Sequence, residues 1–391
     1  KITNNDNVIT SYQISTEINS ETFGYISPSS LVNSKTELMG VVYSDVDYSG
    51  FAKNSSYTSN PPIEVRGVYV SASTASNPEK VDKLIQIANE TDINTFIINV
   101  KDDSESMLFH SEAAAAYCPS ANEVVYIRNI EAFIKKLKDN NIYLIARIVA
   151  FKSPKYALEH PDKAIVYKES GEMYYKDKSY WASPYDRDLW EYNVLVAKEA
   201  IALGFNEIQF DYVRFPDNGP SLDPLLDFRN SLSESKTKAI QEFLKYAYKE
   251  LSPLEAYVAA DLFAWTATSE TDLGIGQHWE ALTDVVDYIC PMMYPSHYGP
   301  GIYGLDVPDA HPYTTIFESS SDALLRNRIS MTPAIIRPWI QDFTATWVKG
   351  HITYGIEEIK AQIQALKDNG INEYMLWNAS NVYTEGALLN D

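Results

Sequence analysis

The chain has 391 residues and a formal net charge of −21, with 45% hydrophobic and 22% charged residues. This composition is ordinary for a globular protein with a large core, and the acidic balance argues against nucleic acid or an anionic membrane surface as a partner, because both select a basic face. Two cysteines, Cys118 and Cys290, exclude a disulfide framework, and no run of about 18 apolar residues predicts a membrane span.

The first 62 residues are rich in Ser, Asn and Tyr and end in Asn60-Pro61-Pro62. They have no sustained helical period, so we expect an extended segment or a small β-rich appendage, followed by a main domain over residues 63–391. The chain opens without Met and without an apolar signal segment, which would fit a removed export signal. We therefore expect a bacterial protein that is secreted or held at the cell envelope.

From Val65 onward, short β-branched or aromatic runs alternate with amphipathic stretches, which predicts repeated βα units and a parallel sheet. The predicted strands cover residues 66–72, 95–100, 143–151, 207–213, 257–263, 288–293, 332–337 and 373–377. The predicted helices include residues 78–90, 130–139, 189–203, 234–251 and 356–367. Eight strands, none followed by a glycine-rich dinucleotide loop, favour a (β/α)8 TIM barrel over an open doubly wound sheet.

In a TIM barrel, catalytic groups lie at the carboxyl ends of the strands and in the loops that follow them. Asp211 closes the fourth predicted strand and Asp261 closes the fifth, so the two carboxyl groups should lie roughly 5–6 Å apart, given a strand spacing of about 4.8 Å. Such a pair can divide into a proton donor and an ionised carboxylate, as glycosidases require. The alternative is that each aspartate only pairs with an arginine.

Other strand ends carry candidate substrate-binding residues. They are charged, aromatic or amide side chains that could bind sugar hydroxyls, stack on sugar rings or orient the acids: Lys101, Asp102, Asp103, Arg147, Arg214, Tyr294, His297, Arg337, Trp339, Trp377 and Asn378. Each also has a structural alternative, as a loop cap, an ion-pair partner or part of the barrel filling.

Two further features bear on the site. No HxH or HExxH spacing occurs, so we expect neither a catalytic metal nor another cofactor. The insertion over residues 152–188 is rich in Tyr, and long loops on the catalytic face of a barrel commonly form the substrate wall. We therefore expect a cleft for a carbohydrate polymer or oligosaccharide.

Five stretches together resemble a bacterial family described as "putative glycosyl hydrolase domain", over about residues 64–385. They are RGVYVS at 66–71, NVKDD at 99–103, ARIVAF at 146–151, FDYVRFP at 210–216 and PMMYP at 291–295. The resemblance implies a TIM barrel of the glycosidase superfamily with carbohydrate as its substrate class. A weaker likeness to chitinase-type barrels, aligned at Asp211, puts Gln209 and Val213 where those enzymes carry acids, so we do not expect hydrolysis assisted by an N-acetyl group of the substrate.

The sequence thus predicts a glycoside hydrolase acting on a polysaccharide or cell-envelope glycan. Asp211 would be the nucleophile or a stabilising carboxylate, and Asp261 the general acid/base. A non-catalytic carbohydrate-binding barrel at the cell surface is the first alternative, because an aromatic platform does not need two acids near one bond. A metal-dependent deacetylase or hydrolase is the second, and it would need His and Asp side chains to converge.

Overall fold

The computed structural model describes residues 41–389 and, before them, the backbone of three short strands. Those strands, Ile2–Thr3, Ile9–Ile14 and Gly24–Ile26, form an antiparallel sheet in chain order, which agrees with the β-rich character expected for this region. The chain divides into two compact units, Lys1–Val42 and Tyr43–Asp391. The second unit contains the barrel and is described below.

Eight parallel strands close into a barrel. In chain order they are β1 (Arg66–Val70), β2 (Thr95–Lys101), β3 (Tyr143–Val149), β4 (Glu207–Asp211), β5 (Tyr257–Phe263), β6 (Tyr288–Met292), β7 (Ile335–Ile336 and Trp339–Gln341) and β8 (Tyr374–Trp377). Each strand pairs with the next, and β8 pairs with β1. The predicted (β/α)8 barrel is confirmed.

Helices follow the first seven strands and pack around the outside of the barrel. They are α1 (Pro78–Glu90), α2 (Ile130–Asp139), α3 (Arg187–Leu203), α4 (Lys236–Leu251), α5 (Trp279–Thr283), α6 (Pro312–Ile329) and α7 (Ile356–Asp368). The 3-10 turn Glu385–Ala387 follows β8. The main hydrophobic core lies between the strands and these helices.

The helix ends follow local chemistry that is visible in the sequence. The side chain of Asn77 accepts a hydrogen bond from the backbone N–H of Lys80 at the start of α1, and Pro78 occupies the first helical position. Gly204 ends α3 with φ of 111°, a left-handed conformation that favours glycine. These caps explain why the predicted and observed helix ends agree within two residues.

The barrel interior contains a connected set of polar side chains as well as an apolar cluster. Every second residue of β4 points inward, so Glu207, Gln209 and Asp211 lie at successive levels between the two ends of the barrel. Glu207 pairs with Arg337 at the amino-terminal end, and Asp211 lies at the carboxyl end. Strand β4, which contains the start of the FDYVRFP motif, therefore contributes side chains both to the ion pair at the amino-terminal end of the barrel and to the cavity at its carboxyl end.

Residues 51–62 pack on the amino-terminal end of the barrel, whereas Tyr43 and Asp45 contact Asp272 and Ser235 in the loops that follow β5 and β4. The side chain of Asn60 donates to the carbonyl oxygens of Asn206 (2.7 Å) and Glu255 (2.8 Å), which precede β4 and β5. Lys53 Nζ donates to the carbonyl oxygens of Thr283 (3.1 Å) and Val286 (2.7 Å). These contacts tie the segment before β1 to the loops that enter the barrel.

The seventh strand differs from its prediction. The sequence predicted a strand over residues 332–337, but pairing resumes at Trp339, after Pro338, and continues to Gln341. The carbonyl oxygen of Pro338 accepts a hydrogen bond from Met375, so the proline removes one donor without ending the strand. The long helix α6 was not among the predicted elements.

Candidate active site

A cavity of about 220 Å³ opens at the carboxyl ends of the strands. It brings together nine of the predicted site residues: Asp103, Arg147, Asp211, Arg214, Asp261, Tyr294, His297, Trp339 and Trp377. Three residues that the sequence analysis did not select, Tyr212, Phe263 and Met292, also line it. The volume lies below the 300–1,000 Å³ typical of pockets for drug-sized ligands, so it has room for about one sugar ring.

Asp211 is held in the cavity by three donors. Its Oδ2 accepts hydrogen bonds from Nε (2.9 Å) and Nη2 of Arg147, and its Oδ1 accepts one from the backbone N–H of Tyr212 (2.6 Å). This side-on pairing with the guanidinium is a strong, charge-assisted arrangement. It pairs Asp211 with a cation and fixes the orientation of its side chain in the cavity.

Asp261 has a contrasting environment on the adjacent strand. The register pairs Phe210 with Ala260, so Asp211 and Asp261 occupy the next aligned positions. The Oδ1 atom of Asp261 accepts hydrogen bonds from Gln209 Nε2 and from Trp339 Nε1, the latter at 2.7 Å. Burial, followed by the nearby charge of Asp211, raises the pKa of Asp261 well above its ordinary value.

The two carboxyl groups therefore have different environments, and that of Asp261 favours the protonated form. Because the indole N–H of Trp339 can only donate, Oδ1 of Asp261 must accept, and the proton of the neutral acid belongs on Oδ2. Asp211 lies beside it with its charge balanced by Arg147. Two titratable groups whose environments separate them in this way form a general acid and an anionic partner.

Asp103 adds a third carboxylate at the rim. Its Oδ2 lies 3.3 Å from Arg147 Nη1 and its Oδ1 lies 3.8 Å from Lys152 Nζ. Burial opposes ionisation, but these two cations lower the pKa of Asp103 below its ordinary value. Arg147 thus bridges Asp103 and Asp211, and although burial alone would lower its pKa, both carboxylates raise it well above the ordinary value.

The backbone turns sharply directly after Asp211. Tyr212 has φ of 47°, an uncommon conformation for a residue other than glycine, and the strand ends there rather than at Val213. The turn places the Tyr212 ring at the cavity wall, while the side chain of Val213 is fully buried in the core. Val213 therefore offers no position for an acid in the cavity, which agrees with its mismatch to chitinase-type barrels.

The family model for "putative glycosyl hydrolase domain" matches residues 67–383. The chain belongs to this family. No curated protein matches the chain. A hypothetical protein from Ruminiclostridium thermocellum is 32% identical over 50% of this chain and 96% of its own, with a TM-score of 0.44.

Other solved structures share the fold of this glycosyl hydrolase family member. The glycoside hydrolase domain of PgaB (BpsB) from Bordetella bronchiseptica has a TM-score of 0.55 at 15% identity, covering 82% of this chain and 95% of that one. The C-terminal domain of a chitinase-like protein ("putative chitinase") from Desulfitobacterium hafniense has a TM-score of 0.50 at 11% identity, covering 83% and 96%. These similarities support the barrel.

The aromatic side of the cavity in this family member is formed by Tyr294 and Trp377. Their ring centroids lie 6.4 Å apart, and Trp377 also packs against Tyr69 at 4.2 Å. His297 lies beside Tyr294 at 5.2 Å, and burial lowers the His297 pKa below its ordinary value. These residues could provide an apolar face and a neutral polar group for a sugar.

Trp339 lines the cavity but has only 1% of its surface exposed. Its indole donates to Asp261, and its ring meets Trp377 edge-on at 5.7 Å. Its aromatic side chain at a strand end predicts stacking on a sugar ring. Its burial and its hydrogen bond instead suit a residue that positions Asp261.

Two residues of the second strand end do not face the cavity. The register between β2 and β3 shifts between Asn99 and Lys101, and Lys101 lies sealed against Tyr192 of α3, paired with Glu105 at 3.5 Å. Asp102 Oδ1 instead accepts from the backbone N–H groups of Ser104 and Ser106, both at 2.9 Å. The expectation that these two side chains face the barrel mouth is wrong, because the irregularity in β2 redirects the strand end.

Arg337 and Asn378 are also displaced from their expected positions. Arg337 is fully buried at the amino-terminal end, where it pairs with Glu207 and Glu373, each at 2.7 Å. It lies there because β7 continues past Pro338 to Gln341. Asn378 caps the loop after β8, donating to the carbonyl oxygen of Val382 at 2.7 Å. Neither residue lines the cavity.

The residues that sequence reasoning missed had weak signals. Phe263 lies two positions after Asp261 on the same strand and so shares its inward face. Tyr212 belongs to the motif already selected, but its left-handed backbone could not be predicted from the sequence. Among the described residues, no group of three or more His, Cys, Asp or Glu could hold a metal ion, and no helix there is long and apolar enough to cross a membrane.

Proposed function

We propose that the chain is a glycoside hydrolase in which Asp261 is the general acid/base and Asp211 is the nucleophile or stabilising carboxylate. The observation that supports this most strongly is the pairing of a buried, proton-retaining Asp261 with an arginine-bound Asp211 in one cavity. Glycosidic bond cleavage needs this combination, since one carboxyl group protonates the leaving oxygen and the other stabilises the oxocarbenium-like carbon.

The remaining cavity residues have roles in this mechanism. Arg147 maintains the charge of Asp211, and Trp339 with Gln209 holds Asp261 in place. Tyr294 and Trp377 would stack on the sugar ring, and His297 would bind a hydroxyl group. Because the cavity has room for about one ring, the rest of a polysaccharide or cell-envelope glycan would extend outside it.

A panel of glycans from bacterial cell envelopes and extracellular polysaccharides tests this function. Wild type should release reducing ends from at least one glycan, and Asp211→Asn should lower kcat by at least about 100-fold, the scale of losing one preorganised electrostatic contact. Asp92→Asn, at the opposite end of the barrel beside Arg66, is the matched control and should retain wild-type turnover.

Two outcomes would contradict the proposal. Equal turnover by wild type and Asp211→Asn would show that the aspartate is not catalytic. Binding of a glycan without any turnover by wild type would favour the alternative of a non-catalytic carbohydrate-binding barrel. Circular dichroism and melting curves of both variants establish that they are folded.

A further inference from the structure

Arg214 lies in the cavity with only 8% of its surface exposed. Its Nη1 donates to the carbonyl oxygen of Phe215 at 2.9 Å. Within residues 41–389 no carboxylate lies within ion-pair distance of this guanidinium, in contrast to Arg147 and Arg337. A buried charge without a partner is costly, so the site gains from an anion that arrives with the substrate.

Aromatic rings surround the guanidinium. Its central carbon lies 4.4 Å from the ring centroid of Phe263, 5.0 Å from that of Tyr212 and 5.2 Å from that of Trp181. The rings hold the guanidinium in place and exclude water, which strengthens its interaction with an anion. The Nε and Nη2 atoms of Arg214 have no hydrogen-bond partner among the described residues and are not completely buried. They therefore reach the open space of the cavity.

Among the charged side chains that line the cavity, Arg214 is a cation without an ion-pair partner. Arg147 and Lys152 together balance Asp211 and Asp103, and burial with the nearby charge of Asp211 raises the pKa of Asp261, which favours its neutral form. Burial lowers the pKa of Arg214 itself, with Tyr212 and Asp211 acting in the opposite direction. Asp217 and Asp177 also act on Arg214 from a distance, but neither forms an ion pair with it, so the guanidinium remains available to an anion that enters the cavity.

We propose that Arg214 binds a carboxylate carried by the sugar in the cavity, so that the substrate class is an acidic glycan. The inference rests on the proposed function for the assumption that the ligand is a sugar. A guanidinium presents two parallel N–H groups that match a carboxylate, and this geometry distinguishes an acidic sugar from its neutral counterpart. The carboxylate could be the C6 group of a uronic acid or the lactyl group of a muramic acid.

Binding measurements that need no catalysis test the site and separate the two carboxylate sources. Ligand-observed NMR titrations compare D-glucuronate with D-glucose, and N-acetylmuramate with N-acetylglucosamine. Wild type should bind one acid about 10–100-fold more tightly than its neutral counterpart, the range of a hydrogen-bonded charge. Arg214→Gln should abolish this preference, Arg214→Lys should retain part of it, and Arg66→Gln, at the other end of the barrel, should leave it unchanged.

Three results would overturn the proposal: equal binding of acid and neutral sugars, no detectable binding of either acid, or a preference that survives in folded Arg214→Gln. An activity comparison separates this inference from the proposed function, using an acidic polysaccharide and the same polymer after reduction of its carboxyl groups. Turnover of both polymers at equal rates, unaffected by Arg214→Gln, contradicts the anion site while supporting a hydrolase. Binding of an acid sugar that depends on Arg214, without turnover of any glycan, supports the anion site and contradicts the proposed hydrolase function.

Discussion

The properties of Asp261 depend on residues that the sequence marked for other reasons. Gln209 stood out because it occupies a position where chitinase-type barrels carry an acid, and in the structure it donates to Asp261 instead. Trp339 stood out as a ring for sugar stacking, and it donates to the same oxygen. Both donors favour the ionised form of Asp261, but burial and the charge of Asp211 have the larger effect, so the pKa of Asp261 stays well above its ordinary value.

Trp339→Phe tests this arrangement. The indole N–H lowers the pKa of Asp261 against the larger effects of burial and Asp211, so its removal should raise that pKa further. In the proposed mechanism the protonated form of Asp261 is active. The fall of kcat/KM on the basic side of its pH profile (the basic limb) should therefore move to higher pH. The free energy of unfolding should fall by about 1 kcal/mol, the usual contribution of one hydrogen bond, because Gln209 Nε2 still donates to Oδ1 of Asp261.

Trp377→Phe is the matched control, since Trp377 borders the same cavity and has no hydrogen bond to Asp261. It should raise KM while leaving the basic limb in place. An unchanged limb in Trp339→Phe, or the same shift in both variants, would show that Trp339 does not position the acid.

At the level of single residues, the sequence predicted inward-facing side chains where the strands are regular. Asp211, Asp261 and Arg147 lie as the alternation of β3, β4 and β5 requires. The prediction for Lys101 was wrong because a register shift between Asn99 and Lys101 turns this side chain away from the barrel mouth, and the shift depends on contacts distant in sequence. No local pattern of residue types records such a shift.

At the level of elements, helices were predicted more closely than strand ends. The limits of α1 and α2 follow from Asn77, Pro78 and Asn129, whose caps are local. The end of β7 depends instead on pairing with β8, which continues on both sides of Pro338. Helix α6 is rich in Ser, and its weak amphipathic pattern gave no basis for predicting it from the sequence.

Asn60→Ala tests whether the segment before β1 stabilises the barrel. The variant loses the hydrogen bonds from Nδ2 to Asn206 and Glu255, and the one that Asn206 Nδ2 donates back to Oδ1 at 3.0 Å. At about 1 kcal/mol for each bond, the free energy of unfolding in urea should fall by about 2–4 kcal/mol. Catalysis should be unaffected, because Asn60 lies at the end of the barrel away from the cavity.

Asn54→Ala provides the comparison, since the Asn54 side chain has only a 3.4 Å contact to the Tyr57 hydroxyl. It should change stability by less than about 1 kcal/mol. Equal losses in the two variants would mean that Asn60 does not specifically hold the loops before β4 and β5.

At the level of the whole molecule, the two ends of the barrel differ in structure: one contains buried ion pairs and the other contains the cavity. The amino-terminal end contains the buried pairs of Arg337 with Glu207 and Glu373, and residues 51–62 pack on the same end. The carboxyl end contains the cavity. The (β/α)8 fold and its functional end could be predicted, because eight repeated units and one topological rule determine both. The packing of residues 43–62 could not, since irregular segments lack a period.

Asp287→Asn should change how the stability of the whole molecule depends on pH. Burial raises the pKa of Asp287 from the ordinary 3.8 to about 7. The folded protein thus binds this proton more tightly than the unfolded chain, so the contribution is present below about pH 4 and is lost as pH rises to 7. The variant should therefore match wild type in Tm near pH 4 and exceed it by several degrees near pH 7.

The amide of Asn can still accept the hydrogen bond from the backbone N–H of Val258, which Asp287 accepts at 2.9 Å. Asp82→Asn, in an exposed pair with Lys136, should leave the pH dependence unchanged. Calorimetric melting across this pH range provides the comparison. A constant difference in Tm between Asp287→Asn and wild type would mean that Asp287 does not titrate with a raised pKa.

The pH dependence of kcat/KM on a cleaved glycan, measured for wild type, Asp261→Asn and Asp211→Asn, tests the central claim most directly. Wild type should lose activity as pH rises through the raised pKa of Asp261, because the general acid then loses its proton. Asp261→Asn should be slower by about 10²–10⁴-fold and should lack this basic limb, while Asp211→Asn should be slow at every pH. A basic limb that persists unchanged in Asp261→Asn would contradict the assignment of Asp261 as the acid.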